Sequence, residues 1–164
     1  MRDVNIIQKY NILTKFFHWL SVIGLVVQIP LGFYLVRQEF SDFRITIFYI
    51  TLLRLLVRLF INSPENPIEA FPGQMIIAKL NHFLLYFTLL TVTSSGILKK
   101  LFNGEKLNFG VTEIKLKSNF DYADLSYDVH IYSNYTLIAL ISLHILAALL
   151  HTFVFKDNVI KRIT

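Results

Sequence analysis

The chain is predicted to be all-α, an integral membrane four-helix bundle, and three observations predict it. Of its 164 residues, 54% are apolar and only 16% charged, whereas a soluble domain carries about 25% charged residues. The apolar residues gather into four long runs separated by polar segments. All five histidines fall within or at the ends of those runs, where an ionisable group is costly unless it faces the bundle interior. The complete absence of Cys removes disulfides, thiolate metal sites, Cys nucleophiles and Cys-x-x-Cys-His cofactor attachment. The formal charge of +5 is not organised as a basic stripe with interleaved aromatics, so membrane lipid and no nucleic acid is the expected environment.

The first helix is predicted over residues 12–36. Its apolar run, 16–36, follows a basic start with Arg2, Lys9 and Lys15 and is 21 residues long. A secretory h-region spans only about 7–15 residues and ends in a small-residue cleavage site, which is missing here. Gly24 and Pro30 are tolerable inside a span because neighbouring helices satisfy a freed carbonyl. The second helix, predicted over 43–61, is interrupted by Arg54 and Arg58, one turn apart on one face. The third, over 75–98, begins after the helix-breaking Asn62-Ser63-Pro64-Glu65-Asn66-Pro67 and ends at Lys99-Lys100. Its 23 apolar residues, 76–98, are long enough to span with some tilt, and Ser94-Ser95-Gly96 provides small residues for close helix contact. The fourth, over 129–155, closes at Lys156-Asp157-Asn158 and is long enough to emerge from the lipid at one end. In the polar connection 99–128, Leu107, Phe109 and Val111 alternate with polar neighbours, the pattern of a short strand or a cap over the bundle mouth. With no internal repeat or composition break, 1–164 reads as a single domain.

Four spans place both termini on one side. That side carries nine Lys and Arg, the other seven. Because the orienting rule counts cations near the spans, both termini are expected to be cytoplasmic.

The histidines are at 18, 82, 130, 144 and 151. Fourteen helical residues from His130 to His144 turn the second ring to within about 40° of the first and about 21 Å along the axis. That is too far for one metal ion and suits two stacked cofactors. His151 continues the stripe. Carboxylates of the kind that build dinuclear centres in helical bundles are absent from the apolar runs. Haem asks only for an imidazole on each side of the iron, from two helices, and an apolar slot; His130 and His144, with His18 on another helix, supply that chemistry. For any single one of these residues, a hydrogen bond to a neighbouring helix is the alternative. Arg54 and Arg58 either snorkel to the interface or, for Arg54, pair with a haem propionate or quinone head group. Trp19 and Tyr10 read as interface anchors.

Several stretches carry a resemblance: Phe16-Phe17-His18-Trp19-Leu20, Leu53-Arg54-Leu55-Leu56-Val57-Arg58, Leu80-Asn81-His82-Phe83-Leu84-Leu85-Tyr86, and Ser142-Leu143-His144-Ile145-Leu146-Ala147-Ala148-Leu149-Leu150-His151. In order and spacing the whole chain resembles the bacterial cytochrome b561 family, which includes a superoxide oxidase-type branch. The resemblance implies a multi-pass protein of the bacterial inner membrane with two b-type haems, each held by two histidines. It further implies electron exchange between a periplasmic donor, superoxide in that branch, and ubiquinone or another quinone. By position, His18 and His144 correspond to one ligand pair, on the cytoplasmic half, and His130 to the fourth-helix ligand of the other. The expected partner of His130, fourteen residues before Arg54, is Phe40 here. A second haem is therefore absent, five-coordinate on His130, or ligated by another group. His82 and His151 match positions outside the four ligands, and no residue is assigned a catalytic role. Two other functions compete: a haem-containing membrane anchor for a separate dehydrogenase, without a substrate of its own, and a remnant that has lost redox activity. A partner dehydrogenase or a homo-oligomer is compatible with all of this.

Overall fold

Lipid offers no hydrogen bonds to the backbone, so each apolar run closes its own bonds as a helix. The computed structural model describes residues 9–34, 41–61, 72–110, 112–156 and 159–164, with the side chains of 32–34 and 41–44 excepted. Phe40, Val111, the breaker 62–67, residues 35–36 and Asp157-Asn158 lie outside the described residues. The elements are α1 (Ile12–Tyr34), α2 (Ser41–Phe60), α3 (Gln74–Phe102), β1 (Leu107–Asn108), β2 (Glu113–Ile114), α4 (Phe120–Leu150) and α5 (Ile160–Ile163), with a π-helical turn, His151–Phe155, continuing α4. The protein is an all-α membrane bundle. Among the described residues three helical stretches, Ile12–Leu31, Gln74–Phe102 and Phe120–Phe155, are long and apolar enough to cross a membrane. The remaining long helix, α2, has Asp42, Arg44, Arg54 and Arg58 within its 20 residues.

α2 packs against both α1 and α3, and α3 lies along α4 in the most extensive contact of the bundle. α1 and α4 meet only marginally. The first and last long helices are thus linked mainly through α2 and α3. α4 starts well before its apolar run because Asn119 caps it, its side chain accepting from the Tyr122 amide at 3.3 Å, and Asp121 favours the positive end of the helix. At the end of α3, Lys99 and Lys100 complement the opposite end of the dipole, and Lys100 pairs with Glu105 at 3.3 Å. The polar connection contains the short antiparallel pair β1–β2. Its Leu107 packs with Ile45, Ile97 and Leu101, and the Tyr49 hydroxyl donates to the Phe109 carbonyl at 3.3 Å, so this connection caps one end of the bundle.

Hydroxyls within the spans are satisfied by their own helices, a requirement of the apolar medium. Ser21 donates to Phe17, Thr51 to Ile47, and Thr93 to Leu89. At mid-depth Leu89, Val92 and Leu137 form a buried layer, joined by Leu25, Leu85 and Ile141. Leu137 is seven residues from His130 and from His144, about 10.5 Å along the axis either way. The layer thus divides the bundle into a half with His144, away from the β1–β2 cap and termed the inner half by that position alone, and a half with His130, nearer the cap and termed the outer half.

The small-residue patch on α3 receives a histidine. A Cβ on Gly96 would lie 3.1 Å from Cε1 and 3.3 Å from Nδ1 of His130. Gly96→Val is expected to displace that ring and destabilise the bundle by about 1–3 kcal/mol, the usual range for overpacking. Gly96→Ala should cost less, since its gain of about 1 kcal/mol in helix propensity offsets part of the clash. Unfolding midpoints of the two variants in a denaturing-detergent titration, compared with wild type, measure both.

Candidate functional site

In the inner half the four long helices each contribute a polar side chain to one cluster. α1 supplies His18, α2 supplies Arg54, α3 supplies His82 with Tyr86, and α4 supplies His144. The Arg54 guanidinium donates to His18 Nδ1 at 2.9 Å and lies over the Tyr86 ring, 5.3 Å from its centroid. His82 and His144 are in edge contact, centroids 5.1 Å apart and planes at 83°. His18 and His144 are half-buried, and His82 is the exposed member. Arg54 does not snorkel: its charge is turned inward to His18.

Hydrogen bonding determines where each ring carries its proton. A carbonyl only accepts and a guanidinium only donates. His82 Nδ1 therefore donates to the Ala78 carbonyl at 2.7 Å, and His130 Nδ1 donates to the Val92 carbonyl at 2.9 Å, with Ser95 Oγ at 3.3 Å. Both tautomers place the lone pair on Nε2, the arrangement usual for metal-bound imidazole. His18 has the opposite arrangement, because its Nδ1 accepts from Arg54. To hold a metal through Nε2, His18 would need its proton on Nδ1, and the Arg54 guanidinium would then serve another acceptor. The edge contact between His82 and His144 leaves no space for a macrocycle between them, so as placed they are not opposite ligands of one haem. The residues present fit haem in their chemistry: His18 and His144 would offer imidazoles from two helices, Arg54 a guanidinium for a propionate, and the Leu89, Val92 and Leu137 layer an apolar neighbour.

The outer half is sparser. His130 faces α3, and Gln28 on α1 carries a buried Oε1 with no hydrogen-bond partner. Phe40, the position expected to oppose His130, lies outside the described residues. His151 sits at the other end, 3.3 Å from the Gln74 side-chain amide and against Phe155. Among the described residues no three His, Asp or Glu side chains converge on a common point.

The sequence of the chain matches the pattern of prokaryotic cytochrome b561 over residues 9–164. It belongs to that family. Among curated relatives it is 25% identical to cytochrome b561 homolog 2 of Escherichia coli strain K12 over 177 aligned residues, covering 99% of this chain and 94% of the relative. It is 30% identical to the probable superoxide oxidase CybB of Yersinia pestis over 169 residues, covering 94% and 95% of the two. As a cytochrome b561 family member, the protein is a membrane b-type haem protein of electron transport. Sequence reasoning placed His18, Arg54, His130 and His144 in its site and left His82 and Tyr86 out. The signal for these two was their spacing: four residues apart on α3, they share the face turned toward Arg54 and His144.

Proposed function

We propose that this cytochrome passes single electrons between a donor on the side of the β1–β2 cap and the membrane quinone pool, through b-type haem held by His18 and His144. The observation that carries this reading is the placement of those two imidazoles in the same half of the bundle, on helices that meet only marginally, with Arg54 beside His18. Haem, when bound, supplies a reversible one-electron iron couple. His18 and His144 hold it from two sides, and two imidazoles leave the iron no open position for oxygen. Arg54, which donates to His18 Nδ1 here, would pair with a propionate, a carboxylate that suits its planar fork. Leu85, Leu89 and Ile141 keep water from the inner half. The cation count on the two sides supports cytoplasmic termini and a location in the bacterial inner membrane, with the cap facing the periplasm. The likeness to a probable superoxide oxidase supports superoxide as the donor, with ubiquinone or another quinone as acceptor.

The experiment is a reduced-minus-oxidised spectrum of the purified protein with haem counted per chain, followed by quinone reduction with superoxide supplied. A low-spin b-type signal and superoxide-dependent quinol formation are expected. A chain without any haem signal would sink the reading, and haem without quinone reduction would leave only the membrane anchor role. His82→Ala is expected to retain full haem content, since His82 touches His144 by its edge and is no ligand here. Loss of haem in that variant would promote His82 to ligand in place of His18.

A further inference from the structure

The two proposed iron ligands sit on α1 and α4, and those helices are not held together by packing. A different part of the chain bridges them. After the π-helical turn, Lys156 adopts a left-handed conformation, φ 57°, that ends the helix. Residues 159–164 then lie along the start of α1. The Tyr10 amide donates to the Arg162 carbonyl at 3.0 Å, Trp19 Nε1 to the Ile163 carbonyl at 3.2 Å, and Lys15 Nζ to the Thr164 carbonyl at 2.5 Å. The Arg162 side chain is only 8% exposed. Its guanidinium lies over the Tyr10 ring at 5.7 Å, and Arg58 lies over the same ring at 5.6 Å.

These contacts bracket His18. Lys15 is one turn before it on the same face, and Trp19 follows it with its indole in edge contact with the imidazole, centroids 5.6 Å apart. Arg58 is one turn beyond Arg54 on α2, so Tyr10 also ties α1 to the helix that touches His18 Nδ1. We propose that the segment 159–164 is a clamp that sets the distance and ring orientation of His18 relative to His144, with Arg162 as its positioning residue. The proposal rests on the reading of His18 and His144 as haem ligands. A cation over an aromatic ring is attracted more strongly when both are desolvated, so Arg162 at this burial is the group whose loss should loosen the clamp most.

The chain carries one Trp, which makes Trp19 a built-in reporter of the clamp. In haem-loaded protein in lipid nanodiscs, Arg162→Ala is expected to raise acrylamide quenching of Trp19 several-fold. Haem per chain should stay at the wild-type value, while the ferric low-spin EPR signal broadens and moves and the haem midpoint potential shifts. Arg162→Lys, which keeps a cation over Tyr10, should restore most of the wild-type signal. Should Arg162→Ala fail to accumulate, Tyr10→Leu removes the ring between the two guanidinium groups and gives the same readouts. If Trp19 becomes accessible while EPR signal and potential stay unchanged, the segment docks without positioning His18 and the proposal is overturned. Unchanged quenching overturns it as well. His18→Ala with an intact low-spin spectrum would instead refute the ligand assignment beneath it.

Discussion

His144→Ala is expected to abolish haem binding while leaving an insertable helix. Losing only a hydrogen-bond partner of a metal ligand costs roughly 10–100-fold in affinity, so losing the ligand itself should exceed that. Ala suits a membrane helix, and the side chain removed is half-buried with a His82 edge contact as its main neighbour, so the bundle should persist. The reduced-minus-oxidised b-type signal should vanish and haem per chain should approach zero. Because bound haem stabilises the folded state by mass action, the unfolding midpoint should fall to that of haem-free wild type and no further. His18→Ala should give the same spectral loss. Retention of the full low-spin spectrum by either variant would break the pairing of α1 with α4.

Phe40→His is expected to create a second haem site. The spacing supports it. Fourteen residues separate Arg54 on the second helix from position 40 before it, and fourteen separate His144 from His130 on the fourth. Either interval is about 21 Å along a helix. Arg54 stands beside His18, so an imidazole at position 40 is expected level with His130 on the same fourteen-residue spacing. The Val92 carbonyl already fixes the His130 tautomer with its lone pair on Nε2, and the added imidazole would supply the opposing ligand. Haem per chain should rise from one to two, with a second midpoint potential in a redox titration. A register error of one turn would put the new ring about 5.4 Å from the iron, beyond bonding reach. A variant unchanged at one haem would show that the pocket has closed along with the loss of its ligand. Two low-spin haems already present in wild type would require another ligand on α2.

The long helices were legible in the sequence because a span is a local property. Length, apolar content and the backbone's need for internal hydrogen bonds in lipid determine it without reference to any other part of the chain. The cap's alternation around Leu107 and Phe109 was legible for a similar reason, a two-residue period. The nine helical residues of α4 before its apolar run were not, because Asp121, Asp124 and Asp128 break the apolar signal there while the Asn119 cap starts the helix. The histidines marked the site, since an ionisable group in lipid needs a partner, but which partner each takes depends on how helices are arranged side by side. His18 meets Arg54 across 36 positions and His130 meets Val92 across 38. The same holds for His82, which enters the inner cluster only because α3 lies along α4, and for Arg162, which reaches Tyr10 only because the chain turns back at Lys156. The sequence by itself determined the membrane helices, the cysteine-free chemistry and the ligand candidates. Tertiary structure decided the tautomers and the docking of residues 162–164 on the start of α1, because each depends on contacts between groups distant in the chain.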